Sequence, residues 1–91
     1  NNREPLKVIQ RAYIIDPVTS KLLQYLALTY ARLNYPGLAS LFTAERFFIA
    51  GEFKSAESHA KKAERLLDKS SVEWQKAQDI LNISSYIGEN N

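Results

Sequence analysis

Cysteine is absent from these 91 residues, and its absence removes two kinds of site at once. Without thiols the chain has neither a disulfide nor a thiolate-bound metal, although cytoplasm and periplasm both stay open as compartments. No apolar run approaches the roughly 18 residues that a membrane-spanning helix requires. The formal net charge is only +2, with acidic and basic residues interleaved, which does not indicate binding to nucleic acid or to an anionic membrane.

Sustained period-2 alternation is also missing, whereas apolar residues recur three and four positions apart between short proline-, glycine- or asparagine-containing segments. These patterns predict an all-α fold of five antiparallel helices, at about 5–15, 20–33, 38–50, 53–67 and 70–87. We expect a single domain over residues 1–88, with 89–91 as a frayed tail. Because the chain opens on Asn1 with neither methionine nor a leader pattern, we also expect it to be a piece of a longer protein.

A few residues set the predicted helix boundaries. Asp16-Pro17 is expected to stop the first helix, because a residue before proline avoids the helical region. Gly51 is predicted as the glycine that terminates the third helix. Ser70 and Glu73 have the spacing of a capping box, so we expect the fifth helix to begin there.

His59 is the only histidine, and Ser55 precedes it by one helical turn, so a hydrogen bond between the two is feasible. The pair lacks an orienting acid at fixed spacing and a glycine-rich elbow, which favours a half-exposed helix histidine over a catalytic one. Zinc binding through His59, Glu57 and Glu45 is disfavoured, because zinc sites take several His or Cys ligands. We therefore expect neither catalysis nor a cofactor within these residues.

Basic side chains on and just after the predicted fourth helix raise the alternative of RNA binding, which some helical-hairpin repeats do perform. They are Lys54, Lys61, Lys62, Arg65 and Lys69. Aromatic side chains do not interleave with them, and Glu57 and Glu64 interrupt the series, as on a solvated helix face. We therefore expect no nucleic-acid partner.

The segment from Thr43 to Leu67 has the pattern of a helical hairpin. Ala44 precedes Gly51, and three alanines follow at helical spacing, so that two helix backbones can approach closely. Those alanines are Ala56, Ala60 and Ala63. The pattern resembles the tetratricopeptide repeat (TPR), and Trp74 falls at the leading tryptophan position of a next repeat of about 34 residues. Such repeats stack into a superhelix that presents a binding surface.

Residues 26–81 also resemble the C-terminal TPR region of bacterial periplasmic zinc metallopeptidases, relatives of the CAAX prenyl proteases and of the protease that assists outer-membrane β-barrel assembly. The resemblance is carried by Ala44-Glu45 before Gly51-Glu52, and by Ser71-Val72-Glu73-Trp74-Gln75-Lys76-Ala77-Gln78-Asp79-Ile80. The chain departs from a regular TPR at Asp68, where proline is usual, and after Tyr35, where the second-helix pattern is missing.

The resemblance implies a division of labour. In that family an N-terminal domain binds zinc through H-E-x-x-H and a downstream glutamate, and nothing in this chain matches that motif. It implies a non-catalytic periplasmic module whose partners are the parent protease domain, unfolded outer-membrane proteins or the assembly machinery, with zinc held in the protease domain. The alternative is a structural module that docks on the protease domain and regulates it without a ligand of its own.

If the first helix of each hairpin lines a concave face, side chains off the core stripes form a peptide groove. The candidates are Lys21, Gln24, Leu28 and Arg32 on the second helix, Leu41, Glu45 and Phe48 on the third, and Gln75, Asp79 and Asn82 on the fifth. Tyr25, Phe42 and Phe48 also lie off the main stripe, where they line a groove, dock against another domain or are partly exposed without function.

Overall fold

A computed structural model describes residues 17–90 of the chain. This part consists of four α-helices and contains no strand, which confirms the predicted all-α class. The helices are α1 (Pro17–Arg32), α2 (Pro36–Ile49), α3 (Phe53–Leu66) and α4 (Val72–Glu89). They correspond to the second to fifth helices of the prediction. The predicted first helix, at about 5–15, lies outside the described residues, as do Asp16 and Asn91.

The four helices form two layers. Each helix packs against the next along the chain, and α2 also contacts α4, whereas α1 packs against neither α3 nor α4. The described part measures 47 × 27 × 19 Å. Because a helix with its side chains is about 10–12 Å across, the shortest dimension accommodates two layers. One layer contains α1 and α3 and the other contains α2 and α4, which is the arrangement of stacked helical hairpins.

Small side chains dominate the core, which lies between α2, α3 and α4. The buried cluster comprises Leu41, Ala44, Ala56, Ala60, Ala63, Ala77 and Ile80. The alanines of α3 have no exposed surface. Such short side chains let neighbouring backbones approach closely, so the hairpin predicted from the alanine spacing is the central unit of the fold.

The α2–α3 turn is closed by the predicted glycine. Gly51 has a φ of 78°, a left-handed conformation that strains any residue with a Cβ. The backbone N–H of Glu52 donates to the carbonyl oxygen of Phe47 at 2.9 Å, and that of Gly51 donates to Phe48 at 3.1 Å. These two bonds satisfy carbonyl groups that the end of α2 would otherwise leave unpaired.

Two helices include residues before their predicted starts. Pro17, the first described residue, already lies in α1, and Pro36 occupies the first position of α2 instead of lying in the segment before it. The fixed φ of proline suits this position, and its missing N–H is one that the helix does not use. A proline after an apparent turn therefore marks a helix start here.

The predicted capping box at the start of α4 is wrong by one residue. Ser71 is the N-cap, and its Oγ accepts a hydrogen bond from the backbone N–H of Trp74 at 3.0 Å. Ser70 instead donates its backbone N–H and its hydroxyl to the Asp68 carboxylate, which lowers the pKa of Asp68. At its other end α4 continues through Gly88 to Glu89, so the predicted end at residue 87 is also wrong.

Candidate functional site

An open cleft of about 310 Å³ lies between α1 and α3, which flank α2 without packing against each other. We call it the α1/α3 cleft. Its lining residues are Ala27, Leu28 and Ala31 of α1, Asn34, Pro36, Ala39, Ser40 and Thr43 of the turn and α2, and His59 and Lys62 of α3. The cleft therefore has an α2 floor, two helical walls and an alanine-rich interior.

His59 forms part of the α3 wall and is held there by an aromatic contact. Its ring stacks on Phe47 with centroids 5.4 Å apart and an angle of 12° between the planes. The guanidinium carbon of Arg46 lies 4.4 Å from the centroid of the same phenylalanine ring. Burial lowers the pKa of His59, and the positive charges of Lys62 and Arg46 lower it further. The imidazole is thus neutral near pH 7 and packs as a flat, half-buried ring.

The α1 wall carries four of the predicted groove residues. Lys21, Gln24, Leu28 and Arg32 are all exposed. Their spacing along the helix places them on one side of α1, and Leu28 lines the cleft with 53% of its surface exposed. Of these four residues, the structure places Leu28 in the lining of the α1/α3 cleft, and the other three are exposed on the same side of the helix.

The predicted groove residues of α4 lie elsewhere, on the exposed side of that helix, away from its buried residues. Glu45 is ion-paired with Lys76, with 3.1 Å between Oε1 and Nζ. The amide Nε2 of Gln75 donates to Asp79 Oδ1 at 3.0 Å, and Asn82 is exposed on the same helix. Glu45 Oε1 is buried and makes no hydrogen bond, so the ion pair with Lys76 is its polar contact.

Two apolar groove candidates of α2 pack against other side chains of the fold. Leu41 is only 2% exposed and belongs to the core, so its assignment to a partner-accessible groove is wrong. Phe48 packs against the core and meets Phe53 edge-on, with ring centroids 5.7 Å apart. Because α2 packs against three helices, a leucine that lies outside the stripe facing one neighbour still faces another.

The ten predicted residues therefore do not form one groove. The helix α1 has no packing contact with α4, because the two lie in different layers and at opposite ends of the array. The other aromatic candidates also separate. Tyr25 is 65% exposed on α1, whereas Phe42 stacks on Tyr30 with ring centroids 5.5 Å apart.

Sequence reasoning missed most of the cleft. Ala31 and Ala39 were not considered, and His59 was expected to be a half-exposed helix histidine without a binding role. A signal was nevertheless present, because Ser55, His59, Lys62 and Leu66 recur at helical spacing beside the buried alanine stripe of α3. Among residues 17–90, no group of three His, Cys, Asp or Glu side chains is placed to hold a metal ion.

Comparison of the chain with models of protein families, with curated proteins and with solved structures finds no match. The structure itself defines a class: a two-layer array of helical hairpins with an open cleft in one layer. No helix in the described part has the length and apolar character needed to cross a bilayer.

Proposed function

We propose that this chain is a non-catalytic, TPR-like interaction domain that binds a peptide or protein segment in the α1/α3 cleft. The observation that carries the proposal is the cleft itself, in which α1 and α3 are held apart by packing on α2. Its volume of about 310 Å³ lies at the lower end of the range for ligand sites. It is sized for one or two side chains of an extended or helical segment.

The proposal extends to the parent protein, which we propose to be a periplasmic zinc metallopeptidase with this chain as its accessory domain. Only the resemblance of residues 26–81 supports this part. Zinc would be bound in the protease domain, and the partners would be that domain, unfolded outer-membrane proteins or the assembly machinery. The flanking coding sequence tests it. An H-E-x-x-H motif upstream would support a metallopeptidase parent. Its absence would contradict that parent, but it would not affect the proposal that the cleft binds a peptide.

The binding function is tested by NMR on the ¹⁵N-labelled chain. We expect a peptide from an unfolded outer-membrane protein to shift the amide signals of Ala31, Thr43 and Lys62. The Ala31→Leu variant narrows the cleft and should weaken these shifts, whereas Asn82→Ala, on the exposed side of α4, should leave them unchanged. Shifts confined to α4, or no shifts at all, would contradict binding in the cleft.

A structural module that docks on the parent protease domain is the second candidate, and exposed apolar side chains on the two outer helices favour it. Leu22 and Tyr25 of α1 are 54% and 65% exposed, and Val72 and Tyr86 of α4 are 78% and 68% exposed. A docking surface without its partner promotes self-association. Sedimentation equilibrium distinguishes the two candidates. If the chain self-associates and Leu22→Ser abolishes the self-association, the docking module is favoured. If the chain is a monomer, binding in the cleft is favoured.

A further inference from the structure

The interior of the α1/α3 cleft suits an aliphatic side chain. Ala27 and Ala31 face Ala39 across the α1–α2 contact, and these short side chains leave the open volume. Thr43 donates its hydroxyl to the carbonyl oxygen of Ala39 at 2.9 Å, so that donor is already used within α2. The alanines therefore offer van der Waals contact to such a side chain, beside the polar groups of Asn34 and Ser40 in the same lining.

The charged side chains at and next to this interior are basic. Arg32 is exposed on α1 one turn after Leu28, and residues 17–35 contain no acidic side chain. Lys62 lines the α3 wall, and Arg65 is exposed three residues further along that helix. Among the described residues, none of these cations has a carboxylate within ion-pair distance.

The acidic residues of α3 do not offset this charge at the cleft. Glu57 and Glu64 are half-buried and lie on the side of α3 that faces α4, where Trp74 Nε1 donates to the Glu64 carbonyl oxygen at 3.1 Å. No carboxylate lines the cleft. Burial is the main cause of the lowered pKa of His59, and the further lowering by Lys62 and Arg46 agrees with a positive potential at the α3 wall.

Three other occupants suit the cleft less well than an acidic segment. Residues 1–16 carry three basic and two acidic side chains, and a second copy carries a net charge of +2, so neither has an excess of acidic side chains to pair with Lys62. A single-stranded nucleic acid needs aromatic faces on which its bases stack. The cleft lining offers only the His59 ring, which is already stacked on Phe47.

We infer that the α1/α3 cleft binds an acidic peptide segment, with a leucine-like side chain between the alanines and carboxylates along Lys62 and Arg32. This inference rests on the proposed function, because it names the partner class of the same cleft. Both parts of the segment are needed, because the carboxylates attract the peptide to the basic side chains and the apolar residue fixes its position in the cleft.

The test is fluorescence anisotropy with three short labelled peptides: glutamates around a central leucine, the same with a central glycine, and leucine among glutamines. We expect the first to bind at least about tenfold more tightly than either of the others, and to weaken as salt is raised. Lys62→Glu should weaken its binding about tenfold, whereas Lys69→Glu, which changes the net charge equally in the α3–α4 turn, should have little effect. Ala31→Leu should remove the advantage of the central leucine.

The outcomes separate the inference from the proposed function. If the glutamine peptide binds as tightly as the acidic one and shifts the cleft amides, the partner class is wrong and the binding site stands. If a single-stranded oligonucleotide shifts the same amides and binds more tightly than the acidic peptide, the partner class is also wrong. If none of the peptides shifts the cleft amides, both fail.

Discussion

Two turns of this chain each depend on a single residue with positive φ. Asn34 and Gly51 have φ values of 66° and 78°. After Asn34, the backbone N–H of Tyr35 donates to the carbonyl oxygen of Tyr30 at 2.8 Å, and the two tyrosine rings meet edge-on with centroids 6.1 Å apart. Hydrogen bond and apolar contact together close the end of α1. Asparagine and glycine are the residues that tolerate this backbone best.

Replacing Gly51 should therefore destabilise the fold although no core contact is lost. We expect Gly51→Ala to lower the free energy of unfolding by about 1–2 kcal/mol, because a Cβ is strained in the left-handed region. Gly88→Ala is the matched control, since Gly88 is helical and a Cβ there meets nothing within 4 Å. It should be neutral or stabilising by about 0.5 kcal/mol. Urea unfolding of both variants checks this, and equal losses would contradict it.

At the scale of the elements, α3 is fixed by small side chains on one face. Ala60 lies in the middle of its buried stripe and has no exposed surface. We expect Ala60→Leu to cost about 1–3 kcal/mol, because the added atoms must push α3 away from its neighbours. The same substitution at Ala31, which is exposed in the open cleft, should cost little. Thermal unfolding compares the two variants with the wild type. An Ala60→Leu variant as stable as the wild type would show that α3 is not closely packed at this position.

The packing of α3 on α2 should also depend on pH through His59. Because the pKa of His59 in the fold is below its unfolded value of about 6.5, the fold favours the neutral ring. Its contribution to stability is therefore fully present above pH 6.5 and is lost as the pH falls through the folded pKa. His59→Phe keeps a ring beside Phe47 and removes the titration.

We expect the free energy of unfolding of the wild type to fall relative to His59→Phe between about pH 7.5 and about pH 5. Urea unfolding at both pH values provides the measurement, and subtracting the variant removes the effect of carboxylates that titrate in both proteins. A constant difference would show that the fold does not distinguish the two protonation states of His59.

The helices themselves could be predicted from the sequence more easily than their starts. Periodicity and Gly51 identified the central hairpin, because alanines three and four apart have one interpretation on a helix. Pro17 and Pro36 were harder, since proline both ends the helix before it and begins the helix after it. Ser70 and Ser71 both suit an N-cap, and the hydrogen bonds of Asp68 to Ser70 decide between them.

The candidate site was less accessible to sequence reasoning, because it depends on which helices share a layer. Leu28 and Arg32 were selected correctly as surface residues of α1, but their neighbours were assigned to α2 and α4. In the structure α1 lies beside α3 and faces His59 and Lys62 across the cleft. A helix pattern indicates which face is apolar, whereas the partner of the remaining surface follows only from the stacking order.

For the whole molecule, this stacking order predicts unequal stability along the chain. Among the described helices α1 packs only against α2 and buries a single residue, Leu23, whereas α2 packs against three helices. We expect native-state hydrogen exchange to show α1 amides opening at a lower free energy than those of α3, since stacked hairpins interact only with near neighbours. Leu23→Ala should lower the opening free energy of α1 by about 2 kcal/mol or more and leave that of α3 unchanged. If α1 and α3 instead exchange at one common free energy, and Leu23→Ala lowers both equally, these helices unfold as a single unit, and α1 cannot move separately to widen the cleft for a partner.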